Sequence, residues 1–270
     1  MANSNPQQAF PPLKLIKLKE NLYLATGGAG ADSGIVVGKS HVFLIDAKMT
    51  ADTARELSSL IAQTFSKPVA EIVLTHSDID HVGGIDSISG RFTLVSHETT
   101  KREMIAQQER VHVEHLPDIT FTDKYLADFE GVQADLLHFG PAHTAGDTVV
   151  FFPSLRIAFV GDLLFFQREP LIHRQKGGSV TGLIEAFSRL LDLDADTFVS
   201  GHSAPVGKDE IRTLRETVVK RRDAIKALAS AGASWERVRH ELGIEEATLV
   251  PGRPIFPTLA EVIYREETGS

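Results

Sequence analysis

The chain contains no cysteine, so it holds no disulfide, thiolate zinc site, iron–sulfur cluster or cysteine nucleophile of its own. Basic residues are in deficit. Lys and Arg total 28 against 36 Asp and Glu, a formal charge of −8, and no basic run stands out that would follow a phosphate backbone. Nucleic acid is therefore not an expected partner. No segment stays apolar for the length a bilayer requires, and the opening MANSNPQQAFPP lacks the charged start and apolar core of a signal peptide. The expectation is a soluble, cytoplasmic protein with no membrane partner, or a periplasmic one from which an export signal has been removed. Repeats of fixed period and low-complexity linkers are also missing. Residues 1–12 are expected to form a flexible N-terminal tail and residues 13–270 a single domain. Hydrophobic residues make up 42% of 270, enough for a substantial core. None of this sets an oligomeric state.

The apolar pattern predicts a mixed α/β chain. LKLIKLKENLYLAT alternates in strand fashion, GIVVG and HVFLID follow after short breaks, and together they predict an antiparallel meander. In TADTARELSSLIAQTF, Leu57, Leu60, Ile61 and Phe65 recur at helical spacing behind Thr50 as N-cap. AEIVLTH and RFTLVSH read as buried strands. ETTKREMIAQQE reads as a helix, HVEHLPDITF as irregular, and the residues around FEGVQ as a hairpin. TVVFFP and RIAFVGD are strands joined at Pro153 and Ser154, and DTFVSGH is another. TGLIEAFSRLLDL and KDEIRTLRETVVKRRDAIKALASAG read as helices, the latter closed by Gly232. SWERVRHEL and PTLAEVIYRE predict two shorter ones. The basic residues of VVKRRDAIK read as a solvated helix face.

The chemistry concentrates in LTHSDIDHVGG, residues 74–84, where His76, Asp78, Asp80 and His81 fall within six positions at the end of a strand. Alternate residues of an extended segment share one side, and the adjacent Asp80 and His81 require a turn that the following glycines permit. A lone histidine at a strand end ordinarily serves as a hydrogen-bonded structural residue. Four nitrogen and oxygen donors so close together have no packing use. Three more donors stand at strand ends beside glycine: His143 in GPAHTAGD, Asp162 in FVGD and His202 in VSGH. Seven donors exceed what one tetrahedral zinc takes, and they suit two adjacent divalent ions if one carboxylate bridges them.

In order and spacing these residues resemble the metallo-β-lactamase superfamily, whose His-x-His-x-Asp-His pattern is followed by a histidine, a bridging aspartate and a last histidine. GADSGIVVG, HVFLIDA and HTAGDTVVFFP…IAFVGDLLF extend the resemblance over residues 20–205. It implies a four-layer αββα sandwich with two metal ions along one edge. By position, His76, Asp78 and His143 would hold the first ion and Asp80, His81 and His202 the second, with Asp162 between them. A bridging hydroxide would be the nucleophile. Asp78 departs from the pattern, which has histidine there. With Asp78, Asp80, Asp162 and a hydroxide the centre carries −4, neutralising two divalent ions, whereas histidine at position 78 would leave +1. A neutral centre lowers the pKa of its water less, and the harder oxygen widens the choice of metal from zinc toward iron or manganese.

The implied function is a dinuclear hydrolase attacking a carbonyl-type small-molecule substrate, an ester, thioester, lactone or amide, including a β-lactam. In it Asp80 acts catalytically, orienting water or accepting its proton. The alternatives are an iron-dependent oxidoreductase of the diiron or sulfur dioxygenase type, for which Asp78 alone speaks, and a non-catalytic degenerate member. Asp46 resembles the family's buried aspartate behind the site, a partner for a ligand such as His76; a helix-capping role is the alternative. Among His97, His112, His115 and His173, the last is the best candidate for facing substrate, because the REPLIHRQKGG loop should overhang the metals. Phe165 and Phe166 are candidates for lining a pocket or for the core.

Overall fold

The alternating residues that open the sequence form the strands β1 (Lys14–Lys19), β2 (Leu22–Thr26), β3 (Ser33–Val37) and β4 (Val42–Ile45), each antiparallel to the one before. This computed structural model describes residues 10–111, 113–245 and 256–270, so His112 lies outside the described residues, as do residues 1–9 of the expected tail. Within residues 10–12, the Pro11 carbonyl accepts a hydrogen bond from Gly28 N–H at 2.7 Å. Helix α1 (Ala51–Phe65) follows β4, with the Thr50 hydroxyl accepting from Thr53 N–H as its N-cap. Its crossover makes β5 (Val69–Val73) parallel to β4, and β6 (Thr93–His97) and β7 (Ile119–Phe121) continue in parallel, completing a seven-stranded sheet in the order β1 to β7.

The one-turn helix α2 (Ile79–Val82) falls between β5 and β6, and α3 (Glu98–Val111) between β6 and β7. Strand β7 lies inside a stretch expected to be irregular. Three residues are too few to show a period of two, and pairing with β6 along Val95, Ser96 and His97 makes the strand.

The second sheet has five strands. β8 (Lys124–Phe129) and β9 (Val132–Leu137) form the hairpin expected around FEGVQ, turning at Glu130 and Gly131. β10 (Val149–Phe152) and β11 (Ile157–Phe159) follow, joined through Pro153–Leu155, and β12 (Thr197–Val199) pairs parallel to β11 after the crossover helix α4 (Val180–Asp192). Helices α5 (Lys208–Ser230), α6 (Trp235–Leu242) and α7 (Leu259–Thr268) complete the described chain. Among the described residues no helix is long and apolar enough to cross a membrane.

Strand periodicity sorts the apolar residues into three layers. Leu22, Leu24, Phe43 and Ile45 of the first sheet meet Phe129, Leu136, Val150, Phe152 and Phe159 of the second, filling the space between sheets. The intervening residues Ala25, Val42 and Leu44 pack outward against Leu57 and Ile61 of α1 and Met104 of α3. On the opposite side Phe151 and Ala158 pack against Leu183 and Phe187 of α4, Val218 of α5 and Ile263 of α7. Helices, two sheets and helices again give the αββα sandwich. Its strands β5, β11 and β12 deliver their carboxyl ends to one edge, where the crossovers leave room for a site.

Candidate metal centre

Beyond Val73 the backbone continues extended to His76 and Asp78, which precedes α2, while Asp80 and His81 sit within that single turn. The short helix resolves the crowding of the motif: it aims the adjacent side chains of Asp80 and His81 at different partners. His143 lies in the loop between β9 and β10. There Asp147 accepts hydrogen bonds from Thr144 N–H and from Thr144 Oγ1 at 2.7 Å, and Leu171 O lies 2.7 Å from His143 Nδ1. Asp162 follows β11 in a short 3-10 turn, and His202 follows β12.

All seven expected residues come together. Asp80, His81, Asp162 and His202 each place a donor atom within 4.8 Å of the others, as do His76, His143 and Asp162, and Asp78, His143 and His173. Asp162 belongs to both of the first two groups. Its Oδ1 lies 3.2 Å from His81 Nε2 and its Oδ2 lies 3.3 Å from His202 Nε2. Asp80 Oδ2 is 3.0 Å from His202 Nε2 and 3.9 Å from His81 Nε2.

The donors fit divalent ions better than they fit one another. The Nε2 atoms of His76, His81 and His202 and the Oδ1 of Asp162 are buried without a well-aligned hydrogen bond, although His81 and His202 face carboxylate oxygens at 3.0–3.3 Å. Such groups cost free energy unless something else satisfies them. Imidazole and carboxylate donors suit zinc, and the carboxylates also admit harder ions.

Without metal, the cluster holds its charges as pairs. Burial disfavours charge on His143, but the hydrogen bond to Asp78 and the nearby Asp162 and Asp147 raise its pKa to about 9. His202 is likewise opposed by burial and raised to about 9, by Asp162 and Asp80. Asp162 is pushed up by burial yet held well below the carboxylate range by His81, His202 and His76.

Asp46 lies behind the cluster. Its Oδ2 is 2.7 Å from His81 Nδ1 and accepts from Thr75 Oγ1 at 2.7 Å, while its Oδ1 accepts from Thr75 N–H at 2.8 Å. Asp46 thus lies behind the site as a partner of one of the expected ligands, with His81 rather than His76 as the imidazole it meets, and His76 Nδ1 meets Thr75 Oγ1 at 3.0 Å. The capping alternative falls, because Thr50 caps α1. Two residues on, fully buried Lys48 donates to the carbonyls of Ala25, Gly27 and Ala31. The loop so fixed ties itself to the site, with Ala31 N–H donating to Asp80 O at 3.0 Å and Asp32 N–H to Gly201 O at 2.8 Å.

Gly201 shows how closely backbone approaches the donors, since a Cβ there would lie 2.7 Å from both Asp162 Oδ1 and His81 Cε1. Gly201→Ala is expected to lower metal affinity by about 10–100-fold while the fold persists, measured by competition with a chelator. Unchanged affinity would show that these two side chains are free to shift.

Asp78 has partners that its place in the motif does not reveal. Lys176 Nζ lies 2.6 Å from Asp78 Oδ1 and donates to Ser77 Oγ at 2.9 Å. Oδ2 of Asp78 faces His173 Nε2 at 2.8 Å, His143 Nε2 at 3.2 Å and His76 Nε2 at 3.7 Å. The charge count made from the motif alone therefore changes, for Lys176 returns the unit of positive charge that Asp78 removes. His173 is 4% exposed and turns toward Asp78. His97 stacks on His138 with ring centroids 4.0 Å apart, and His115 pairs with Asp86; neither belongs to a donor group.

Phe165 is buried, with its ring stacked 5.8 Å from that of His202, and Phe166 is partly exposed. Both line a cavity of about 530 Å³ together with Leu214, Val218 and Leu259. Lys176, Thr75 and Asp147 escaped the sequence reading. Asp147 had a signal in the short HTAGD turn, whereas Lys176 had none, lying 98 residues from the carboxylate it meets.

Comparison with known proteins identifies the family and the fold. The chain is 30% identical over 171 residues to the 2,4-dinitroanisole O-demethylase subunit alpha of Nocardioides sp. (strain JS1661), covering 62% of this chain and 51% of that one. It is 25% identical over 160 residues to a metallo-beta-lactamase type 2 of Bacillus sp. (strain 170), covering 56% and 60% respectively. The chain thus matches only half to three-fifths of these relatives' lengths. The structure of the stereoselective inverting sec-alkylsulfatase Pisa1 from Pseudomonas sp. superposes with a TM-score of 0.73 at 16% identity, over 94% of this chain and 50% of that one, a likeness of fold. The model of the metallo-beta-lactamase superfamily matches residues 26–202, from β2 through the last donor of the cluster, and the chain belongs to that superfamily.

Proposed function

We propose that the protein is a dinuclear metal-dependent hydrolase of a small organic substrate. The observation that carries this reading is the set of buried donor atoms on His76, His81, His202 and Asp162 that make no well-aligned hydrogen bond yet converge. His76, Asp78 and His143 would hold one divalent ion, Asp80, His81 and His202 the other, and Asp162 both. Ions bound there would supply Lewis acidity and lower the pKa of water enough to make it a nucleophile at neutral pH.

The chain's own residues do the rest. Asp46 and Thr75 fix the His81 ring, so its Nε2 stays aimed at the cluster. Asp80, the more accessible carboxylate beside His202, would orient water and accept its proton. The cavity beside Phe165 and Phe166 has Leu214, Val218 and Leu259 together with Arg168, Glu169 and Arg221 in its lining, and Phe165, stacked on His202, joins it to the cluster, so a substrate reaching both would carry an apolar and a polar portion.

Ester, thioester, lactone and amide carbonyls are the substrate classes favoured here, with β-lactams included. By name the relatives act on a nitroaryl methyl ether, β-lactams and alkyl sulfates, so ethers and sulfate esters belong in the same panel. A second reading, an iron-dependent oxidoreductase, draws on the hard carboxylate of Asp78. Lys176 weakens it by restoring the charge.

The test is elemental analysis of the purified protein together with turnover of that panel. About two zinc ions per chain, and hydrolysis abolished by Asp80→Asn and by chelation, are expected. Iron with visible absorption and no hydrolysis would favour the oxidoreductase, and a protein that takes up no metal would refute both.

A further inference from the structure

Asp78 stands where the superfamily pattern has a histidine, which leaves the first centre one imidazole short. The structure brings another imidazole to the same point. Asp78 Oδ2 is surrounded by three Nε2 atoms, those of His173 at 2.8 Å, His143 at 3.2 Å and His76 at 3.7 Å. We propose that His173 is the third imidazole ligand of the first metal centre, so that one ion is held by His76, His143, His173 and Asp78 Oδ2. This rests on the metal reading given above.

Three features support it. The first is confinement. His173 is buried, its N–H donates to His143 O at 2.9 Å, and its carbonyl accepts from Lys176 N–H at 2.8 Å and Gly178 N–H at 3.0 Å. Its ring stands edge-on to His143, centroids 4.9 Å apart, with Phe256 at 4.9 Å as a second ring neighbour. A ring so enclosed is poorly placed to meet substrate and well placed to meet the other donors.

The second is the remaining nitrogen. A ligating imidazole needs a partner for its other ring nitrogen to fix tautomer and orientation. His173 Nδ1 lies 3.0 Å from Gln175 Nε2, so in this amide orientation Nδ1 accepts and Nε2–H faces Asp78. Rotation of the amide by 180° exchanges its nitrogen for its oxygen, and Nδ1–H then donates to that oxygen and leaves the Nε2 lone pair for a metal.

The third is charge. Replacing histidine by aspartate in the motif removes an imidazole and adds a negative charge. The segment 171–178 answers both changes, because His173 brings the imidazole and Lys176, three residues on, brings a cation to Asp78 Oδ1 at 2.6 Å. With Oδ1 so engaged, Asp78 presents one oxygen, which with the nitrogens of His76, His143 and His173 would add to the Asp162 carboxylate that both ions would share. The first ion would then be held more tightly than the second.

The test compares His173→Ala and His173→Gln with the unmodified full chain, titrated with Cd²⁺. Glutamine keeps an N–H for Asp78 but is a poor metal ligand. Both variants should bind the first ion more weakly by over about 100-fold, with the second ion's affinity changed only a few-fold. In the unmodified protein labelled with ¹⁵N-histidine, ¹¹³Cd loading should give a one-bond coupling to His173 Nε2, a readout that needs no variant to fold. Absence of that coupling, or tight binding of both ions by His173→Gln, would overturn the inference and reduce His173 to a hydrogen-bond donor, with the dinuclear reading intact. Failure of the unmodified protein to bind Cd²⁺ would refute both.

Discussion

Asp162→Ala is expected to cut bound divalent metal from two ions per chain to one or none, and to lower metal-dependent turnover on the order of 10³-fold. Asp162 is the one residue common to the two donor groups that contain the remaining histidines of the motif. Its oxygens face opposite partners, Oδ1 toward His81 and Oδ2 toward His202. In the proposed dinuclear centre, loss of the carboxylate would remove a ligand from both ions and leave their mutual repulsion less screened. Asp162→Asn separates this from packing, since it keeps the volume and changes only the donor and the charge. Both substitutions should release metal, read by elemental analysis after gel filtration. Retention of two ions by Asp162→Asn would show that the carboxylate is not shared.

The second large effect is on pH. In the metal-free protein the pKa values of His143 and His202 are raised to about 9, so at pH 7 both rings carry a proton that must leave before the nitrogen accepts a metal. The first ion's apparent affinity should rise about tenfold per pH unit toward pH 9 through His143, and the second ion's more steeply, because His81 as well as His202 has its pKa raised. Metal-free stability should move oppositely. A histidine whose pKa is raised on folding stabilises the fold fully below its unfolded value of about 6.5. That contribution is lost as pH climbs through 9. Thermal unfolding between pH 6 and 10 should therefore show the metal-free protein weakening with alkali while loading strengthens. Affinity that is flat from pH 7 to 9 would mean the two rings are neutral before metal arrives.

How far the sequence reached depends on the kind of contact. Layers and most elements were legible because periodicity reports burial directly, as in β2, where Leu22 and Leu24 face one layer and Ala25 the other. The gathering of the seven side chains was legible because four His and Asp residues crowd one strand end without a packing use and the other three stand beside glycine at further strand ends. Partners were not. Asp46 is nearer in sequence to His76 than to His81, yet the one-turn helix α2 rotates His81 back onto it. Lys176 and His173 reach Asp78 only because the segment after Asp162 folds over His143, with His173 N–H bonded to His143 O. No local pattern encodes that fold-back, so the charge count at Asp78 could be completed only with the tertiary structure in hand.

X-ray absorption at the zinc edge of the fully loaded protein tests most directly whether these side chains gather two ions at one edge of the sandwich. The expected spectrum contains imidazole and carboxylate scattering with a metal–metal vector of about 3.5–4 Å, at two ions per chain. A single ion per chain, or a pair with no short metal–metal vector, would contradict a shared centre built around Asp162.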